Sequence, residues 1–225
     1  MLPAWLRWGF PPLLLLVILP IRALDPALYR SFVDGERGLI ELATPLVALI
    51  AAVLGAKCWP RLRNAPPLVR AWVVLVTLAC VYLAGEELSW GQHLLGWETP
   101  EPVKALNDQG ETNLHNVSSW FDQKPRLALE LWIIVGGIVV PLREGRPGRG
   151  YAAGSLPYWF WPTRDVLPTA ILAIALHVPD KVKDLFGLSQ LPLEIRYSEP
   201  QEYYFALFLA LYLASIYVRA GRPPA

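Results

Sequence analysis

Apolar residues fall along this chain in long runs, and the charges gather between them. The first run occupies residues 8–24 and contains Leu13-Leu14-Leu15-Leu16-Val17-Ile18-Leu19. Five more occupy residues 39–59, 68–88, 127–142, 162–178 and 203–218. A helix needs about 20 mostly apolar residues to cross ~30 Å of hydrocarbon. The pattern therefore predicts an all-α fold, a polytopic transmembrane helix bundle of about six spans that forms one integral membrane domain. The fifth run is the short one: its apolar core covers Val166 to Val178, and it reaches span length only by extending back through Trp161. Residues 89–126 are polar and read as an interfacial segment between the third and fourth spans, with a turn, a short helix over 103–108 and a second helical turn.

The first run has a second reading. Arg7 ahead of a short apolar stretch resembles a secretory signal. Ile21-Arg22-Ala23-Leu24-Asp25 lacks the small residues of a cleavage site. A retained span is the expectation.

Composition agrees with a bilayer as solvent. Hydrophobic residues make up 54% of the 225 and charged residues 17%, against about 45–50% and about 25% in soluble domains. The mean hydropathy is +0.35. A formal net charge of +1 gives no global field toward nucleic acid. Cys58 and Cys80 lie in or beside apolar runs and read as small buried hydrophobes, without disulfide or metal-ligand spacing. Tryptophans group near span ends, with Trp5, Trp8, Trp59, Trp159 and Trp161 toward one boundary and Trp90, Trp97 and Trp120 toward the other. Two such belts are expected of a bilayer protein.

Charge also assigns sidedness. Lys57, Arg61, Arg63 and Arg70 fill one short loop, and Arg143, Arg146, Arg149 and Arg164 another. In a six-span chain these loops share a side with Arg7, Arg219 and Arg222. Lys and Arg enrichment marks the cytoplasmic side, so N-in, C-in is expected. Of the 19 acids only Glu144 and Asp165 fall on that side. Polar chemistry is therefore expected at the outer face.

The densest polar cluster begins where the third run ends, in Glu86-Glu87-Leu88-Ser89-Trp90-Gly91-Gln92-His93. Ionisable residues at membrane depth face a cavity or a partner and mark functional sites. If the helix continues, Glu86, Ser89 and His93 share a face; Gly91 is the point at which it can stop. Glu111 and His115 are spaced i, i+4, which suits a metal site or a carboxylate-oriented base. Asn107, Gln109, Asn113 and Asn116 surround them. His177 closes the fifth run, three residues before Asp180. Ser198-Glu199-Pro200-Gln201-Glu202 has the signature of a helix start.

The candidate catalytic residues are thus Glu86, Glu87, Ser89, His93 and His115. Trp90, Gln92, Asn107, Gln109, Asn113 and Asn116 are candidates for substrate binding. Glu111, His115, His177 and Asp180 are candidates for a divalent metal such as zinc, which takes N and O ligands. A polar loop that merely caps the bundle explains the same residues.

The runs Glu86-Glu87-Leu88-Ser89-Trp90-Gly91-Gln92 and Glu111-Thr112-Asn113-Leu114-His115-Asn116 resemble a group of bacterial multi-pass membrane proteins. The resemblance is confined to these residues and implies a bacterial inner-membrane location, with no activity attached. A looser similarity is to the CAAX-protease-like intramembrane glutamic proteases, which carry Glu-Glu-x-x-x-Arg on one span and histidine motifs on others. Glu86 and Glu87 match the paired acids. Gly91 stands where that family has arginine, Glu111 stands where it has phenylalanine before the first histidine, and His177 to Asp180 is one residue short of its His-x-x-x-Asn/Asp. This similarity implies that Glu86 activates water while His115 or His177 polarises a carbonyl or holds an oxyanion.

Three function classes fit. One is a membrane-embedded hydrolase or transferase acting on a lipid or lipid-linked substrate. The second is an accessory or scaffold protein whose outer loops bind a partner. The third is a small transporter, against which the acids lie at one end of the spans instead of near the midplane.

Overall fold

The computed structural model describes residues 1–33, 38–104, 112–113, 119–144, 150–189, 191 and 195–221. Among them every regular element is a helix, as the run pattern predicts. The main helices are α1 (Leu13–Leu24), α2 (Leu39–Cys58), α3 (Pro67–Glu87), α4 (Ser119–Trp132), α5 (Leu167–Ala175), α6 (Val178–Phe186) and α7 (Ser198–Ala220). Five continuous helical stretches among the described residues are long and apolar enough to cross a membrane: Trp5–Leu24, Leu39–Leu62, Pro67–Glu87, Gln123–Glu144 and Ser198–Ala220. The last begins five residues before the expected 203, because Ser198 to Glu202 form its first turn. Leu68, Leu75 and Leu78 on α3, like Leu42, Leu46 and Val53 on α2, are exposed, as side chains that face acyl chains are.

α7 is the axis of the bundle. Tyr204, Phe208, Tyr212, Leu213 and Ile216 are fully buried on it, and a helix apolar on all sides belongs inside. α2 packs most extensively against it, and α3 packs on α2. That second contact depends on Gly55, whose Cβ would stand 2.1 Å from Oγ1 of Thr77. Small residues at such crossings let two backbones approach. α4 continues through a π-helical turn, Ile133–Val139, into Val140–Glu144. A Cβ on Gly137 in that turn would meet Cε2 of Phe208 at 2.6 Å and Cβ of Ala170 at 2.8 Å. The bare backbone is what seats α4 against α7 and α5.

The expected fifth span over 162–178 is not one helix. Leu156–Phe160 forms a single turn, Trp161 to Thr163 are non-helical, Arg164–Val166 is a 3-10 turn, and α5 supplies nine further residues. Pro157, Pro162 and Pro168 explain the break, since each lacks an N–H and restricts the residue before it. Irregular backbone packed inside a helical bundle must be satisfied by protein. The Tyr212 hydroxyl accepts from Nε1 of Trp72 at 2.7 Å and shares its proton between the carbonyls of Trp159 (2.9 Å) and Phe160 (3.2 Å). Arg219 donates to the carbonyl of Tyr158. Trp132 fills the space behind, edge-on to Tyr212 at 4.9 Å and to Phe208 at 5.3 Å.

The two ends of the bundle differ in charge. At the basic end Asp165, 2% exposed, faces Nε of Arg7 at 3.4 Å and accepts from the backbone N–H of Leu2 at 3.0 Å. At the acidic end the C-terminus of α3 and the N-termini of α4 and α7 converge, and there the candidate residues lie.

Candidate functional site

α3 stops at Glu87, and the chain turns a corner that the sequence left open. Leu88 has φ −94° and ψ 9°, and Ser89, Trp90 and Gly91 all have positive φ, at 45°, 53° and 86°. Two successive non-glycine residues in that region are costly and persist only where surrounding contacts hold them. The contacts are visible. Trp90 folds back along α3, and its Nε1 donates to Oε1 of Glu86 at 2.7 Å. Gly85 makes this possible, since a Cβ there would meet the Trp90 ring at 2.8 Å. The corner removes the helical face expected for Glu86, Ser89 and His93. Glu86 is buried at the end of α3, and Ser89 is buried past the turn.

The segment beyond is pinned by side-chain amides and hydroxyls. Gln92 donates from Nε2 to Oγ1 of Thr99 at 2.8 Å and accepts the Thr112 N–H on Oε1 at 2.7 Å. Thr99 and Thr112 join their hydroxyls at 3.0 Å. Asn113, buried, donates from Nδ2 to Oγ of Ser89 at 3.3 Å. Ser89, Trp90, Gln92 and Asn113, singled out by sequence for chemistry and substrate contact, thus hold this segment against the end of α3. Asn107, Gln109, Glu111, His115 and Asn116 lie outside the described residues, as does the side chain of His93.

A second cluster lies across α7. Nδ1 of His177, at the junction of α5 and α6, stands 3.0 Å from Oε1 of Glu130 on α4. Gln201 on α7 donates from Nε2 to the same Oε1 at 3.1 Å and to the carbonyl of Ala173 at 3.2 Å. Its Oε1 accepts from Nη2 of Arg126, which fixes the amide orientation. Nη1 of Arg126 reaches Oε1 of Glu202 at 3.0 Å. A carboxylate oxygen that receives the Gln201 amide accepts the His177 Nδ1–H as well. In the neutral ring, Nε2 then carries the lone pair. Glu130 is 14% exposed and His177 35%, so the acid is the more shielded of the two half-buried partners.

His177 lines a groove of about 320 Å³ between α4, α5 and α6. Ile134, Ile174, Val182 and Leu185 give it apolar walls, and Lys181 lies at its edge. Ile134 follows Glu130 by one turn, and Ile174 precedes His177 by one turn. The apolar wall is therefore deeper along both helices than the polar pair.

Between the two clusters lies a patch of carboxylates. Glu87 feels the charges of Glu202, Glu199 and Glu41 at the ends of three helices, opposed by that of Arg126. Arg196 pairs with Glu199 at 3.2 Å. Arg126 thus serves both the patch and the His177 network.

His177 is engaged with Glu130, and Asp180 stands in the first turn of α6. Among the described residues no group of three or more His, Cys, Asp or Glu side chains is arranged to hold a metal ion. Glu130, Arg126 and Gln201 were not singled out by sequence. An acid inside the apolar run 127–142 was the available signal for Glu130; Gln201 was hidden within a plausible helix cap.

No family model, curated protein or solved structure matches this chain.

Proposed function

We propose that this membrane protein is an enzyme, a hydrolase or transferase acting on a lipid or lipid-linked substrate, with His177 as its general base. The observation that carries the proposal is the His177–Glu130 contact on the wall of an apolar groove. A carboxylate on Nδ1 orients an imidazole and stabilises the imidazolium that forms when Nε2 takes a proton. In the reaction Nε2 removes a proton from water or from an acceptor hydroxyl. The resulting oxygen nucleophile attacks the ester centre, and the imidazolium returns the proton to the leaving alkoxide. Gln201 and Arg126 keep Glu130 in place. Glu86, committed to Trp90, acts here as a positioning residue for the corner. Residues 105–118, with Glu111 and His115, remain candidates for substrate contact or for a divalent metal.

The resemblance to bacterial inner-membrane proteins and the basic loops favour an inner-membrane location with both termini inside. The groove and the acidic end then face the periplasm. The test is reconstitution of the full chain in a total bacterial lipid extract, with lipid composition followed by mass spectrometry. Wild type should generate a product over time, and His177→Ala should form it at least ~100-fold more slowly. Equal product from His177→Ala would overturn the assignment.

A further inference from the structure

The groove beside His177 has a polarity that selects its occupant. Its volume of about 320 Å³ is at the small end of the roughly 300–1,000 Å³ of ligand sites, which fits one hydrocarbon chain and not a pair. Ile134 and Ile174 line the deeper part, and His177 and Lys181 lie toward the acidic end of the bundle. One wall is α6, a nine-residue helix on which Val178, Leu185 and Phe186 are 53%, 78% and 68% exposed. Its charged residues, Asp180, Lys181, Lys183 and Asp184, are interleaved with these apolar side chains. A helix of that composition lies in the interface plane with its apolar side in the acyl boundary. The groove is then open sideways to lipid.

Charge decides which lipid. Arg126 is tied to Glu202 and Gln201, and Arg196 to Glu199. Lys181, exposed on the groove edge, forms no ion pair with any described carboxylate. We infer that the groove takes one acyl chain of an anionic lipid drawn from the surrounding leaflet, with Lys181 holding the negative charge of its head group. The chain runs down between Ile134 and Ile174, and the linkage between chain and head group comes to rest beside His177. This deepens the reading of His177 as the base by naming its substrate class, but the binding does not depend on turnover.

The test is native mass spectrometry of the full chain released from mixed micelles. These contain equal amounts of phosphatidylglycerol and phosphatidylcholine with identical acyl chains. Wild type should retain the anionic lipid about fivefold over the zwitterionic one, the preference one surface lysine confers. Lys181→Gln should bring the two to parity. Val182→Trp, which fills the groove from the interfacial helix, should lose both. His177→Ala should keep the preference while losing turnover, which separates this inference from the catalytic one. Parity in wild type, an unchanged preference in Lys181→Gln, or full retention in Val182→Trp would each overturn it. So would a second protein chain retained in place of lipid.

Discussion

Nδ1 of His177 and Oε1 of Glu130 meet at 3.0 Å from helices whose sequence positions are 47 residues apart. The contact ties the end of α5 to α4, and α7 supplies the third member through Gln201. Three helices therefore fix one imidazole, and its tautomer follows from the carboxylate it faces.

Glu130→Gln tests that dependence. An amide can present its N–H to Nδ1 and reverse the tautomer, so that Nε2 carries the proton and ceases to be a base. Turnover should fall by about 10²–10⁴, with KM near the wild-type value. The ¹⁵N resonances of His177 supply the independent readout: Nδ1 protonated in wild type, and a mixture or the reverse in the variant. An unchanged tautomer with unchanged turnover would remove Glu130 from the mechanism.

Gly85→Ala should unseat Trp90. The new methyl would lie 2.8 Å from the indole, so the ring must leave α3 and release Oε1 of Glu86. Overpacking of this kind costs about 1–3 kcal/mol. Thermal unfolding in detergent should show the loss, and Trp90→Ala in the same chain should remove most of the additional penalty. A Gly85→Ala variant as stable as wild type would mean that the corner relaxes freely.

The sequence made the helical membrane bundle legible, because five of six apolar runs are long enough to demand burial or lipid on their own. The fifth failed for a physical reason. Hydropathy counts Trp161 and Pro162 as compatible with a span, but three prolines within residues 157–168 interrupt the hydrogen-bond ladder. The corner after α3 was legible only as an ambiguity at Gly91. What resolves it is a packing relation between Gly85 and Trp90 that no periodicity encodes. His177 stood out as a lone histidine in an apolar run, but its partner Glu130 came from a distant helix. Gln92 and Asn113 read as candidate substrate contacts in the sequence, and their amides are taken up by Thr99, Thr112 and Ser89.

Tyr212→Phe should weaken the irregular segment over residues 156–163. It removes the one hydroxyl that joins Trp72 Nε1 to the carbonyls of Trp159 and Phe160. An unsatisfied buried polar group costs about 1–3 kcal/mol, and here a donor and its acceptors lose a partner together. Hydrogen exchange and limited proteolysis should show residues 156–163 opening before the rest of the bundle. Uniform destabilisation without local opening would show that Trp132 and Phe208 hold this segment by packing alone.

The charge pair at the opposite end offers a test of the N-terminal segment. Asp165 is 2% exposed and Arg7 18%, so the carboxylate has little water to turn to if Arg7 is removed. Arg7→Leu should destabilise the folded protein by about 3–5 kcal/mol, the range for breaking one side of a buried pair. Asp165→Asn removes the charge but keeps an oxygen for the N–H of Leu2. The double variant Arg7→Leu, Asp165→Asn should therefore recover most of the loss, giving a coupling energy well above the ~0–1 kcal/mol of surface pairs. Additive losses in the two single variants would mean that the 3.4 Å approach contributes no coupling, and that residues 5–24 are held to the bundle by apolar contacts through Leu14 and Ile18 instead.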